Sequence, residues 1–171
     1  MSDENPNLKP FPVSWDELHR YSKALAWRLH GAAPSGTAWK GIIAVTRGGL
    51  VPAGIIAREL EIRVVETVCI SSYDHQKQRK AELLKPVMQA VGDGKGWLVI
   101  DDLADTGRTL ELIRQILPQA TYATVYAKPL GKPLVDYYIM EVSQDTWIYF
   151  PWDVELQFIQ PISVQRGKPQ E

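Results

Sequence analysis

The segment from residue 97 to residue 117 constrains the fold more than any other part of the sequence. An apolar run, Trp97-Leu98-Val99-Ile100, ends in Asp101 and Asp102. A turn of small and polar residues follows, and the pattern of an amphipathic helix begins at Arg108. A short apolar run of this kind is typical of a strand that is buried on both faces. The segment therefore predicts a strand that delivers two acids to a turn, from which a helix departs.

Strand-like and helix-like segments alternate along the rest of the chain. A helical pattern follows Ser14, which has the spacing of a capping box with Glu17, and a second one extends from Leu50 to Leu60. Short β-branched or apolar runs indicate strands at 41–45, 63–70 and 121–127, with shorter ones near 137–142 and 145–150. Strands that alternate with helices predict an α/β fold, in which a mainly parallel central sheet is flanked by helices.

Three polar turns follow strands of this predicted sheet. They are Thr46-Arg47-Gly48-Gly49, the segment from Asp101 to Thr109, and the segment from Lys128 to Pro133. Sheets of this kind bind ligands beyond the carboxyl ends of their strands. We therefore expect the functional site where these three turns meet.

The length and composition predict one domain. A chain of 171 residues, of which 45% are hydrophobic, is large enough to bury a core without disulfides or metal ions. We expect loose segments at 1–13 and 164–171. Residues 71–96 are polar and charged, and an excursion of that length in a compact domain is usually functional or disordered.

Charge and cysteine content exclude several classes of protein. A net charge of −1 argues against a nucleic-acid binder that relies on bulk positive charge. The single cysteine, Cys69, excludes an internal disulfide framework and a multi-cysteine zinc site, and it fits a reducing, intracellular compartment. The sequence has no secretory signal and no run of about 18 apolar residues, so we expect no transmembrane segment.

The acids and small residues between 101 and 109 indicate a site for phosphate and magnesium. Backbone N–H groups at the start of the helix, with Gly107 and the threonine hydroxyls, can form a phosphate cradle. The adjacent carboxylates of Asp101 and Asp102 can hold sugar hydroxyls and Mg²⁺, a hard cation that prefers oxygen ligands. The alternative is that these two acids are solvated charges at a strand end and that Asp105 caps the helix.

The run from Val99 to Thr109 resembles the motif with which type I phosphoribosyltransferases bind 5-phosphoribosyl 1-diphosphate (PRPP). Further segments resemble the bacterial xanthine-guanine enzymes of that family. These segments are Ala44–Pro52, Cys69–His75, Ala127–Pro129, Asp145–Ile148 and Pro151–Asp153. Together they cover most of residues 40–163. The resemblance implies the type I phosphoribosyltransferase fold, with a small hood that includes the C-terminal region.

The resemblance implies a PRPP site. Asp101 and Asp102 would hold the ribose hydroxyls, and Asp102 would also contact Mg²⁺. Arg47 and Gly48 would form a pyrophosphate loop, which in this family often contains a non-proline cis peptide bond. Arg79 would close over the pyrophosphate, the alternative being a solvated cation. The implied PRPP-binding residues are Arg47, Gly48, Arg79, Asp101, Asp102, Leu103, Ala104, Asp105, Thr106, Gly107, Arg108 and Thr109, with the 5′-phosphate at 105–109.

The resemblance also implies a purine site. Trp147 would stack on the flat purine, Lys128 would donate to an oxygen at the purine 6-position, and the backbone of Ile148 would meet the pyrimidine edge. Asp105 would be the catalytic residue, because it would exchange a proton with purine N7. The alternatives are core packing for Trp147, one of six tryptophans, and a surface charge for Lys128.

The implied activity belongs to purine salvage. It joins PRPP to guanine, xanthine or hypoxanthine with Mg²⁺ as cofactor, and it gives GMP, XMP or IMP and pyrophosphate. The resemblance also implies a homotetramer or dimer in the cytoplasm, with some members loosely held at the inner membrane. Two alternatives stay open, namely a hypoxanthine-guanine enzyme and a non-catalytic regulator that senses PRPP or a nucleotide.

One dipeptide departs from the family pattern. Where the family members place an acid and a polar residue before Pro151, this chain has Tyr149 and Phe150. That edge of the site borders the purine 2-substituent or a subunit contact. The sequence therefore does not rank xanthine, guanine and hypoxanthine as substrates.

Overall fold

A six-stranded sheet forms the centre of the molecule. The computed structural model describes residues 8–33, 38–73 and 80–153. In chain order its strands and helices are β1 (Lys9–Pro12), α1 (Trp15–His30), β2 (Gly41–Thr46), α2 (Leu50–Glu59), β3 (Val65–Tyr73), β4 (Lys80–Lys85), β5 (Trp97–Ala104), α3 (Arg108–Ile116), β6 (Thr121–Ala127), β7 (Tyr137–Glu141) and β8 (Thr146–Tyr149). None of the described helices is both long enough and apolar enough to cross a membrane.

The strand order of the central sheet is β4-β3-β2-β5-β6-β7. Neighbouring strands from β3 to β7 pair in parallel, and β4 pairs with β3 in the antiparallel direction. This confirms the predicted α/β fold with a mainly parallel sheet. Because β2, β5 and β6 are neighbours and run the same way, the turns that follow them lie side by side.

Helices cover both faces of the sheet, as the alternation predicted. Successive side chains of a strand point to opposite faces. Ile42 and Ala44 of β2 accordingly pack in one cluster with residues of α1 and α2. Ile43 and Val45 pack in another cluster, which contains residues of α3.

The amino-terminal part of the described chain is more ordered than the sequence indicated. Ser14 caps α1, since its side chain accepts a hydrogen bond from the N–H of Glu17 at 3.1 Å. Residues 9–12 form β1, which pairs in parallel with β8 as a separate two-stranded sheet. The prediction of a loose segment over 1–13 is therefore wrong for residues 9–12. Residues 1–7 and 164–171 lie outside the described part of the chain.

The polar segment 71–96 also contains regular structure. β3 extends to Tyr73, and β4 pairs with it from Lys80 onward. β4 lies at the edge of the sheet, and edge strands often carry charged side chains that face the solvent. The composition of such a strand therefore resembles that of a loop. Part of the expected long loop is thus a pair of antiparallel strands. Arg79, which was expected to close over the pyrophosphate, lies outside the described residues.

Candidate active site

The turns after β2, β5 and β6 meet at one edge of the sheet. The backbone of Gly48 lies directly against the carboxylate of Asp102. The N–H of Lys128 donates to the carbonyl of Ala104 at 2.9 Å. The structure therefore brings together the three turns in which the sequence predicted a site.

The turn after β5 forms a concavity at the start of α3. Gly107 precedes the helix with a φ of 82°, a left-handed conformation that favours glycine. A β-carbon there would also overlap Leu134. The first N–H groups of a helix have no partner within the helix, so they are available to an anion. The concavity measures about 90 Å³ and is lined by Asp101, Leu103, Ala104, Asp105, Thr106, Gly107, Arg108, Thr109 and Leu110.

Two neighbouring carboxylates lie at the end of β5. Asp101 is buried, and its Oδ1 accepts the N–H of Asp102 at 2.9 Å. Burial raises the pKa of Asp101 well above its usual range, and the charge of Asp102 raises it further. Burial also raises the pKa of Asp102 to about 6, and the charge of Asp153 contributes in the same direction. Because Asp101 is buried, the alternative of a solvated strand-end charge is wrong for that residue. Asp102 is half-buried, and its carboxylate lies against Gly48.

This donor set fits Mg²⁺ bound together with a ligand. Within the described ranges, no group of three or more His, Cys, Asp or Glu side chains could hold a metal ion by itself. Mg²⁺ commonly binds one or two carboxylates and completes its shell with water and phosphate oxygens. A nearby cation would also favour the charged forms of Asp101 and Asp102, which their burial disfavours.

The turn after β2 has the backbone that the resemblance implied. The peptide bond between Thr46 and Arg47 is cis. The side chain of Arg47 is exposed, and Gly48 is half-buried beside Asp102. The turn closes on Gly49, whose N–H donates to the carbonyl of Val45 at 2.8 Å.

Lys128 is buried and faces Asp105. Only 3% of Lys128 is exposed, so the alternative of a surface charge is wrong. Its Nζ lies 3.2 Å from Oδ1 of Asp105, whose side chain is 46% exposed. A lysine is rarely buried without a charged partner, and Asp105 is that partner here.

Trp147 is not a core residue. It is 42% exposed, whereas Thr146 and Ile148 on either side are buried. Strand alternation in β8 therefore turns the indole outward and leaves one side available for stacking. Core packing, the alternative for Trp147, is excluded by this exposure.

The unusual dipeptide after Ile148 has a packing role. Phe150 is 5% exposed, and its ring stacks on Trp152 with centroids 4.9 Å apart. It also meets Tyr126 edge to face at 5.8 Å. Tyr149 is half-buried. Phe150 thus belongs to a buried cluster that also contains Tyr126 and Ile148, a role that its neighbours in sequence did not indicate.

The structure adds two side chains to the site for which the sequence predicted no role. Gln144 donates from Nε2 to Oδ1 of Asp105 at 2.8 Å. The charge of Asp153 acts on Asp102 from a distant part of the chain. Gln144 lies outside the segments that carry the family resemblance, and Asp153 lies in one to which no chemical role was given, so only the folded structure relates them to the site.

The comparisons with known proteins agree with this geometry. The phosphoribosyl transferase domain family matches residues 14–159. The chain therefore belongs to the phosphoribosyltransferase family, which confirms the resemblance drawn from its sequence motifs.

Within that family, its relatives include bacterial proteins named xanthine-guanine phosphoribosyltransferase. The protein of Desulfotalea psychrophila is 58% identical over 163 residues, covering 95% of this chain and 96% of its own length. That of Cereibacter sphaeroides is 54% identical over 162 residues, covering 94% and 97%. Among solved structures, the purine phosphoribosyltransferase from Pyrococcus horikoshii Ot3 has a TM-score of 0.73 at 26% identity, covering 90% of this chain and 99% of its own.

Proposed function

We propose that this protein transfers the phosphoribosyl group of PRPP to a 6-oxopurine in purine salvage. The substrates are guanine, xanthine and hypoxanthine, and the products are the 5′-mononucleotide and pyrophosphate. The observation that carries the proposal is the buried Lys128 beside Asp105, next to the turn that opens α3. The relatives named xanthine-guanine phosphoribosyltransferase support the same substrates.

In this proposal the PRPP phosphates meet two turns. The free N–H groups at the start of α3 and the residues from Asp105 to Thr109 bind the 5′-phosphate. Arg47 and Gly48 bind the pyrophosphate, and Arg79 assists them. The contact of Gly48 with Asp102 supports this arrangement, because it places the pyrophosphate turn beside the acids that would bind ribose.

Asp102 would hold Mg²⁺ together with oxygens of PRPP, and Asp101 would support the ribose hydroxyls. The metal ion, when bound, offsets negative charge on the departing pyrophosphate. The raised pKa values of both acids support a site that is completed by a cation.

The purine would lie between Trp147 and the Lys128 side of the site. Lys128 can only donate hydrogen bonds, so it selects an oxygen at the purine 6-position. The main chain of Ile148 meets the pyrimidine edge. As purine N9 bonds to C1′ of the ribose and the bond to pyrophosphate breaks, Asp105 accepts the proton from N7. The partial exposure of Asp105 supports this role, since its carboxylate remains accessible from the cleft.

The family resemblance also supports self-association into a dimer or homotetramer and a cytoplasmic location, at the inner membrane in some members. Light scattering of the purified protein measures its mass in solution, and fractionation of cells measures its distribution. A monomer in solution would contradict the first expectation.

The direct test supplies purified protein with PRPP, Mg²⁺ and one of four purines, and separates the nucleotide products. We expect GMP, XMP and IMP from the three 6-oxopurines and very little AMP from adenine. The relative rates decide between xanthine-guanine and hypoxanthine-guanine preference. Binding of PRPP without formation of any nucleotide would overturn the proposal in favour of a regulator.

A further inference from the structure

We propose that Gln144 is a positioning residue that fixes the carboxylate of Asp105 for proton transfer. This inference rests on the proposed function, because it gives Asp105 a reaction to perform. Gln144 lies in the short turn between β7 and β8 and reaches across to the turn after β5. Its role follows from three contacts, which involve Leu130, Asp105 and Lys128.

The first two contacts set the direction of the Gln144 amide. Its Oε1 accepts the N–H of Leu130 at 3.1 Å. A backbone N–H can only donate, so the oxygen of the amide must face Leu130. The Nε2 end therefore faces Asp105, and it donates to Oδ1 at 2.8 Å. The contact with Leu130, in the turn after β6, thus fixes the orientation in which Gln144 donates to Asp105.

The third contact places both donors on the same oxygen. Lys128 Nζ lies 3.2 Å from Oδ1 of Asp105, which also accepts from Gln144. Among the described contacts, Oδ2 is left as the oxygen that can take a proton from the purine. The pair of donors thus orients the carboxylate and distinguishes its two oxygens.

Gln144 becomes more important once a purine is bound. Lys128 must then direct a proton toward the purine 6-oxygen, which weakens its hold on Asp105. Gln144 carries no charge, and its other end is held by Leu130 rather than by a substrate. It can therefore keep Asp105 in place while Lys128 recognises the purine. The two donors divide the work, since Lys128 selects the purine and Gln144 holds the carboxylate.

The backbone around Gln144 is anchored well enough for this role. The N–H of Thr146 donates to the carbonyl of Ser143 at 3.1 Å, so the turn is closed by its own backbone. On the opposite side, Lys128 is held to Ala104 through its backbone. Because the backbone is fixed at both residues, the side chains of Gln144 and Lys128 can hold Asp105 in one orientation.

Steady-state kinetics of Gln144→Leu test the proposal. We expect kcat to fall by about tenfold or more, because a hydrogen bond to a charged group is lost. KM values for guanine and PRPP should change less than about twofold, since Gln144 is proposed to act on Asp105 and not on either substrate. Gln144→Glu keeps the size but sets two carboxylates face to face, so its kcat should be at least as low.

Two controls separate positioning from a structural role. Ser143→Ala loosens the same turn without touching Asp105, and it should keep kcat close to that of the unmodified protein. In an Asp105→Asn background, Gln144→Leu should cause little further loss, because it acts through the missing carboxylate.

Three results would overturn the inference. They are an unchanged kcat for Gln144→Leu, an equal loss in Ser143→Ala, and a full further loss in the Asp105→Asn background. Failure of the proposed function is distinguishable from these results, because it would appear as no nucleotide formation by the unmodified protein.

Discussion

The backbone of Gly48 lies against the carboxylate of Asp102, so a β-carbon at position 48 would overlap that side chain. One residue belongs to the proposed pyrophosphate turn and the other to the proposed magnesium site. Any side chain at position 48 must therefore displace one of the two groups. This contact couples the two halves of the proposed PRPP site.

We expect Gly48→Ala to lower kcat/KM for PRPP by at least about tenfold, because Asp102 or the turn must shift. The matched control is Gly54→Ala in α2, where a β-carbon meets nothing within 4 Å. Alanine is favoured over glycine inside a helix by about 0.8–1.0 kcal/mol, so the control should be fully active and slightly more stable. Equal activity of the two variants would contradict the contact.

The second prediction concerns stability and pH in the absence of Mg²⁺. Burial raises the pKa of Asp102 to about 6 from its ordinary 3.8. The folded protein therefore binds this proton more tightly than the unfolded chain does. The protonated carboxyl contributes its whole stabilisation at a pH below 3.8, and this contribution is lost as the pH rises through about 6.

Asp102→Asn should accordingly raise Tm at pH 7.5, and the gain should shrink at about pH 4.5. A shift of several degrees is expected, because 1 kcal/mol corresponds to about 2–4 °C in a chain of this size. Asp16→Asn removes the same charge from the exposed first turn of α1 and should not raise Tm. Thermal melts at the two pH values measure the difference, and equal gains at both would refute it.

The third prediction concerns metal removal. The donor set of Asp101 and Asp102 is too small to bind a cation without help, so Mg²⁺ should bind weakly to the free protein and more tightly with PRPP. Excess EDTA should abolish turnover, and added Mg²⁺ should restore it. Full turnover in EDTA would remove the metal from the proposed mechanism.

The fourth prediction concerns selection of the purine by Lys128. The 6-amino group of adenine donates, as Lys128 does, so the unmodified protein should disfavour adenine by about 10⁴-fold or more in kcat/KM. Lys128→Met keeps the apolar stem but removes the donor. It should depress the 6-oxopurines without greatly improving adenine. A kcat/KM for adenine within about tenfold of that for guanine in the unmodified protein would refute the assignment.

The fifth prediction separates binding from stability at Trp147. Because this indole is 42% exposed, Trp147→Ala should change Tm by no more than a few degrees. Stacking of an aromatic side chain on a nucleobase is worth about 1–3 kcal/mol, so KM for guanine should rise by about tenfold. Trp27→Ala is the control, since that indole is 77% exposed on α1 and its loss should leave KM unchanged. Equal KM values for both variants would contradict stacking.

Short apolar runs and the polar turns after them were enough to predict the central strands of the sheet. The apolar runs of β2, β5 and β6 and the turns behind them are visible in short stretches of sequence, because buried parallel strands are apolar throughout. The same turns predicted a site for phosphate and magnesium, and that assignment stays a prediction. Lys128 and Trp147 could be placed only by resemblance, since burial of one and exposure of the other depend on distant partners.

The missed elements depend on contacts between distant residues. β1 contains Pro10 and Pro12, which argue against a strand until an edge partner is known. That partner is β8, more than a hundred residues away in sequence. The role of Gln144 could not be predicted from the sequence either, because a single glutamine belongs to no recognisable pattern. That role depends on its contact with Asp105 in the folded structure. Contacts of this kind, between residues far apart in sequence, become visible only in the folded structure.

The pairing of β1 with β8 has a consequence for synthesis on the ribosome. All strands of the six-stranded sheet lie between residues 41 and 141, so they are translated before β8. Residues 9–12, although translated early, must wait for residues 146–149. A nascent chain therefore contains the turns that are proposed to bind phosphate before it contains Trp147, the residue that is proposed to stack on the purine.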